Sequence, residues 1–132
     1  MKYFFILLLT TAFLSSCETD EGKLPEIEFE TGNGYVSTDT TLLPNTSFSI
    51  GIHASKTESK DVLKKFNISR SIQQGPLESI YSQNLSGSDG DHFHYVYTAT
   101  TSGTSGQSTV YTFTITNRDG LINQLNLKIL VQ

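Results

Sequence analysis

The chain has 132 residues, nine basic and thirteen acidic, with a net charge of −4, one cysteine and no tryptophan. Mild acidity without a basic stripe argues against a nucleic-acid partner, and a lone cysteine excludes an internal disulfide. The length suits a single domain of ordinary size.

The N-terminus reads as a targeting segment. Lys2 precedes an apolar run from Tyr3 to Leu14, interrupted only by Thr10 and Thr11. That run is about a dozen residues, short of the ~20 a membrane-spanning helix needs. A charge, a short apolar core and small residues before a cut make a secretory signal. Leu14-Ser15-Ser16-Cys17 resembles the lipobox of bacterial lipoproteins. The resemblance implies cleavage after Ser16, lipid on Cys17, and a protein of the bacterial cell envelope held at the outer membrane and exposed on the surface. Several acyl chains would make that attachment firm, since each buried methylene contributes ~0.8 kcal/mol. Residues 1–16 carry Lys2 and no acid, so the mature chain would have eight basic and thirteen acidic residues, a net charge of −5.

Residues 17–26 read as the lipidated cysteine and an acidic tether, with Gly22 and Pro25 and no apolar period. The nine residues after the cysteine reach ~30 Å fully extended. The acidic run resembles the export signal of surface lipoproteins in Bacteroidetes.

From residue 27 to 132 period-two alternation dominates, the mark of half-buried strands. Ile27 and Phe29 oppose Glu26, Glu28 and Glu30 in a first strand, and Gly32-Asn33-Gly34 turns the chain. Tyr35 to Leu43 is polar and reads as a connection. Phe48, Ile50 and Ile52 alternate with Ser49, Gly51 and His53. Ala54 to Lys64 reads as a polar link with one helical turn at Asp61 to Lys64. Phe66, Ile68 and Ile72 form the next apolar face, and Leu77 to Gln83 a weaker strand. After the Gly87-Ser88-Asp89-Gly90 turn, Phe93, Tyr95 and Tyr97 alternate with His92, His94 and Val96. Tyr111, Phe113 and Ile115 alternate with threonines. Asn117-Arg118-Asp119-Gly120 then leads into Leu121 to Val131, a strong hairpin signal.

About seven short antiparallel strands without a useful amphipathic helix predict an all-β sandwich. The stretch from Tyr111 to Gly120 resembles the closing hairpin of immunoglobulin-like and PKD-like domains. With Phe29 to Tyr35 at the start, the chain resembles small Bacteroidetes lipoproteins of this type. The Cys pair and Trp of antibody domains are missing, so the core must rest on aliphatic, Phe and Tyr burial.

Candidate sites are sparse. His92 and His94 share one strand face, and His53 could join them as metal ligands. No fourth ligand is evident, so they read as exposed strand histidines, and no metal or cofactor is expected. Asp89 and Asp91 lack the spacing of a calcium loop. Neither Gly103-Thr104-Ser105-Gly106 nor Gly87-Ser88-Asp89-Gly90 has the spacing of a nucleophile elbow. No catalytic set can be assembled, and the chain is expected not to be an enzyme. Asp39-Thr40-Thr41 resembles the short O-glycosylation acceptor of Bacteroidetes, making Thr40 a candidate modification site. The Ser/Thr/Gly loop from Thr100 to Gln107, in particular Ser102, Gly103, Thr104, Ser105, Gly106 and Gln107, is the candidate contact with a protein partner. The expected function is a lipid-anchored binding module for an envelope protein. The alternative is a glycan-binding accessory lipoprotein of a polysaccharide-uptake system, with Tyr35, Tyr81, Tyr95 and Tyr97 as stacking platforms.

Overall fold

A computed structural model describes residues 21–132; the signal segment and Cys17 lie outside them. The strands are β1 (Glu26–Phe29), β2 (Thr40–Leu42), β3 (Ser47–Ser55), β4 (Leu63–Ile72), β5 (Glu78–Asn84), β6 (His92–Thr100), β7 (Ser108–Asn117) and β8 (Ile122–Val131). A 3-10 turn at Gly87–Gly90 precedes β6. Two sheets form, one ordered β1-β3-β6 and the other β2-β8-β7-β4-β5. Among the described residues no helix is long and apolar enough to cross a membrane.

The alternation read in the sequence sets the core. Phe48, Ile50, Ile52 and Ala54 of β3 point inward, against Phe66 and Ile68 of β4 and Phe113 and Ile115 of β7. Aromatic rings join the sheets: Phe66 lies 5.0 Å from Phe93 of β6, and Phe29 of β1 meets Phe113 edge-on at 5.9 Å. Stripes of apolar side chains on facing sheets bury each other, which gives a sandwich.

The structure differs from the sequence reading in four places. Eight strands are present among the described residues rather than seven, because the polar stretch before Pro44 contributes β2. That strand pairs parallel with β8, Thr40 opposite Ile129 and Leu42 opposite Val131, so the strands are not all antiparallel. Three residues are too few to show a period, and β2 is held by its surroundings. Lys128 N–H donates to Asp39 Oδ1 at 2.8 Å, and Gln132 N–H to the Leu42 carbonyl at 3.0 Å. Second, Leu63 begins β4, where a helical turn was expected, with a register shift between Leu63 and Lys65 against β7. Third, Ile72 falls at the exposed end of β4, at 38% exposure, and leaves the core to Phe66 and Ile68.

The fourth difference concerns the tether. Its last residues are bound to the domain before β1 begins. Asn117 Nδ2 donates to the Lys23 carbonyl at 3.1 Å and Asn123 Nδ2 to the Pro25 carbonyl at 2.9 Å. Thr57 Oγ1 donates to the Leu24 carbonyl. Asn117 is also the centre of a buried polar knot, donating to Asp61 Oδ2 at 2.7 Å. Its own Oδ1 accepts the N–H groups of Asp119 and Leu121, which shapes the β7–β8 turn.

Candidate functional site

The outer face of the three-stranded sheet carries the densest group of ligand-type side chains among the described residues. Register puts them there. In the β3–β6 ladder His53 lies directly opposite His94, flanked by Gly51 opposite Val96 and Ser55 opposite His92. The two imidazoles stack with centroids 4.5 Å apart and planes 29° from parallel.

Glu30 completes the group from the end of β1. Its N–H donates to the Gly51 carbonyl at 2.8 Å, so the chain follows β3 one residue past the strand. Its carboxylate Oε2 sits 2.9 Å from His94 Nε2 and 3.4 Å from His53 Nε2. Gly51 makes that reach possible. A Cβ on Gly51 would stand 2.7 Å from both Cβ and Oε2 of Glu30 and 3.3 Å from a ring carbon of Tyr35. A missing side chain in mid-strand is the usual mark of a close approach, and here the visitor is Glu30.

The histidine side chains are about half exposed, at 48% and 49%, and that of Glu30 is 22% exposed. A depression of about 680 Å³ adjoins them, bounded by His92, Glu26 and Glu28. Next in the chain to Ser55 and His92, Lys56 Nζ contacts Asp91 Oδ1 at 2.6 Å. The hydrogen bond and charge of Lys56 hold the Asp91 carboxyl below the ordinary range. Two nitrogens and one carboxylate oxygen converging on one point can share a proton or hold a cation.

Neither a scan against protein-family models nor a search of curated proteins gives a match. Among solved structures, the superoxide reductase (neelaredoxin) from Ignicoccus hospitalis superposes with a TM-score of 0.55 at 10% identity, over 83% of this chain and 81% of that one. The sporulation control protein Spo0M from Bacillus subtilis gives a TM-score of 0.44 at 12% identity, over 82% of this chain and 48% of that one. This chain thus spans about half of Spo0M. At such identity the first likeness establishes a shared fold and says nothing of activity.

The residues singled out in the sequence fall in separate places. His92 and His94 do share a face, but it is His53, from the neighbouring strand, that meets His94. The alternation of β1 places Glu30 facing outward, but nothing local to it marks it as the third member. Thr40 is half-buried in β2, and Asp39 beside it serves as the acceptor for Lys128. Ser102 to Gln107 joins β6 to β7 across the two sheets and is tied down at both ends. Asn45 N–H donates to the Ser102 carbonyl, Gly106 N–H to the Val131 carbonyl, and Gln73 Nε2 to the Gly106 carbonyl. Thr101, just before it, is buried, its hydroxyl donating to the Leu43 carbonyl and accepting from Thr46 N–H. Only its tip, Gly103 to Gly106, is fully exposed. Tyr81 and Tyr95 meet at a tilt, ring centroids 4.8 Å apart, and with Tyr97 pack onto the core rather than presenting a flat row. Tyr35 lies beside Gly51 on the outer face.

Proposed function

We propose that the protein is a non-catalytic, lipid-anchored module of the bacterial cell envelope, immunoglobulin-like in type, that binds a protein partner along the free edge of β6. Lipid on Cys17 would hold it at the outer membrane, with the sandwich close by on its short tether.

The observation that carries this reading is the contrast among sheet edges. An edge strand exposes unpaired backbone donors and acceptors, and proteins usually blunt it by shortness, charge, proline or a bulge. β1 has four residues and β2 three. β5 has a register shift in its ladder with β4, between Ile68 and Ser69, and begins at the Arg70–Glu78 ion pair. β6 has none of these protections. Its nine residues pair with β3 without a shift, and it contains no Lys, Arg, Asp, Glu or Pro. Such an edge fits an added strand from another protein, with backbone bonds for affinity and alternate side chains for specificity. The turn at Ser102 to Gln107 follows directly from its C-terminal end and would extend the contact. The glycan alternative draws no support from the tyrosines, because three of the four are committed to packing.

The test is recovery of the lipidated protein from cross-linked intact cells, comparing wild type with Thr98→Lys. Thr98 is exposed on the outer face of β6, so a lysine there leaves the core untouched. A discrete envelope protein recovered with wild type and lost with the variant is the expected result. Equal recovery with both would remove the edge from the account. Recovery of the protein alone, together with heat on titration with glycans, would favour the sugar reading.

A further inference from the structure

We propose that Glu30, His53 and His94 form a binding site for a divalent transition metal of the zinc class, with a fourth position open to solvent. The three ligand atoms lie within 4.8 Å of one another. The two contacts to Glu30 Oε2, at 2.9 and 3.4 Å, bracket the separation a tetrahedral site requires. With zinc bonds of ~2.0–2.1 Å, neighbouring ligand atoms stand ~3.3 Å apart. The third edge, between the two imidazoles, lies within 4.8 Å, and a cation entering between the three atoms would draw it in toward the same separation.

Donor chemistry narrows the ion. Two imidazole nitrogens and a single carboxylate oxygen suit zinc, copper, nickel or iron. Calcium and magnesium demand more oxygen ligands than this site offers. Two His and one Glu around an open position is also a donor set that zinc adopts when it keeps a water.

The scaffold is built for the arrangement. The histidines come from adjacent strands at opposed positions, so the ladder fixes their spacing. Glu30 reaches them only because Gly51 has no side chain, and it is partly shielded at 22% exposure. An ion pair on a solvated face needs no such clearance. His92, two residues from His94, offers an internal control: same residue type, same face, opposite Ser55, and outside the triplet.

The experiment is calorimetric titration of the full lipidated chain in detergent with Zn²⁺, alongside Ca²⁺ and Mg²⁺, and visible spectroscopy with Co²⁺. The expected result is one Zn²⁺ per chain, little response to Ca²⁺ or Mg²⁺, and the intense visible bands of tetrahedral Co²⁺. His53→Gln, His94→Gln and Glu30→Gln should each weaken zinc by at least the ~10-fold that losing even an outer hydrogen-bond partner costs a metal site. His92→Gln should leave affinity unchanged. Gly51→Ala should weaken it without removing any ligand, by displacing Glu30. Absence of stoichiometric Zn²⁺ binding would reduce the cluster to an ion pair and overturn the proposal. So would an equal loss in His92→Gln, or binding that survives in the His53→Gln/His94→Gln double variant.

Discussion

Asn117 shows how much a single side chain can hold. It lies 2% exposed at the end of β7, and its side chain makes four hydrogen bonds, to Lys23, Asp61, Asp119 and Leu121. Asp61 beneath it is 1% exposed, and its other carboxylate oxygen accepts Val62 N–H. Asn117→Ala would leave a buried carboxyl oxygen and two backbone N–H groups without these partners, and unpaired buried groups cost more than a hydrogen bond gains. The expected loss is about 2–4 kcal/mol, read as a lowered midpoint in urea with an unchanged slope. A change under 0.5 kcal/mol, the range typical of surface substitutions, would mean that water replaces the amide. In the sequence Asn117 looked like an ordinary turn residue. Its partners Lys23 and Asp61 are remote along the chain, and no local pattern announces them. The histidines show a similar limit. Strand alternation placed His53, His92 and His94 on outward faces, but which two meet depends on the register of β3 against β6. One signal was present: Gly51 interrupts an otherwise regular strand, and Glu30 continues the outward phase of Glu26 and Glu28.

At the scale of elements, strands with a long apolar alternation were legible and strands fixed by their neighbours were not. β3, β6, β7 and β8 show their buried faces residue by residue. β2 has three residues and depends on Asp39 and the C-terminal end of β8. The start of β4 was obscured because Lys64 and Lys65 are both exposed around a register shift. The sheets are joined near the β6 edge by tyrosines, which gives a measurable consequence. Tyr111 of β7 is buried with its ring 5.4 Å from Tyr97 of β6. Burial first, and then Tyr97, push its hydroxyl from the ordinary value near 10 up to about 12. An acid whose folded pKa is raised retains its proton in the folded state while the unfolded state has lost it. Its contribution is complete below pH 10 and declines as pH rises to about 12. Stability should therefore fall across that interval, and Tyr111→Phe should flatten the decline, leaving the smaller share of Tyr95, which is also raised by burial. Thermal melts from pH 9 to 12 provide the measurement; an identical slope in the variant would assign the loss to other groups.

For the molecule as a whole, among the described residues, two sheets and a core free of disulfides place the β6 edge and the histidine–carboxylate cluster on the same three-stranded sheet. His94 belongs to both, since it sits on β6. The sandwich class followed from the number and spacing of alternating runs, because apolar stripes on two sheets have few other ways to leave water. The order of strands within the sheets did not follow, since it rests on pairings between distant segments. The proposed attachment would rest on the N-terminal segment, where Cys17 stands at the position a lipobox requires. Lys23 to Pro25 are bound to the domain, so the last residues of the expected tether belong to the fold. With Cys17 lipidated as proposed, this would keep the β6 edge close to whatever shares the membrane.

The most direct measurement places a photo-reactive side chain at Val96 on β6, at Ser82 on β5 or at Ser105 in the β6–β7 turn, one at a time, and irradiates intact cells. A discrete cross-linked protein is expected from Val96, a weaker product from Ser105 and none from Ser82. A product from Ser82 alone, or equal labelling from all three positions, would contradict binding along the β6 edge.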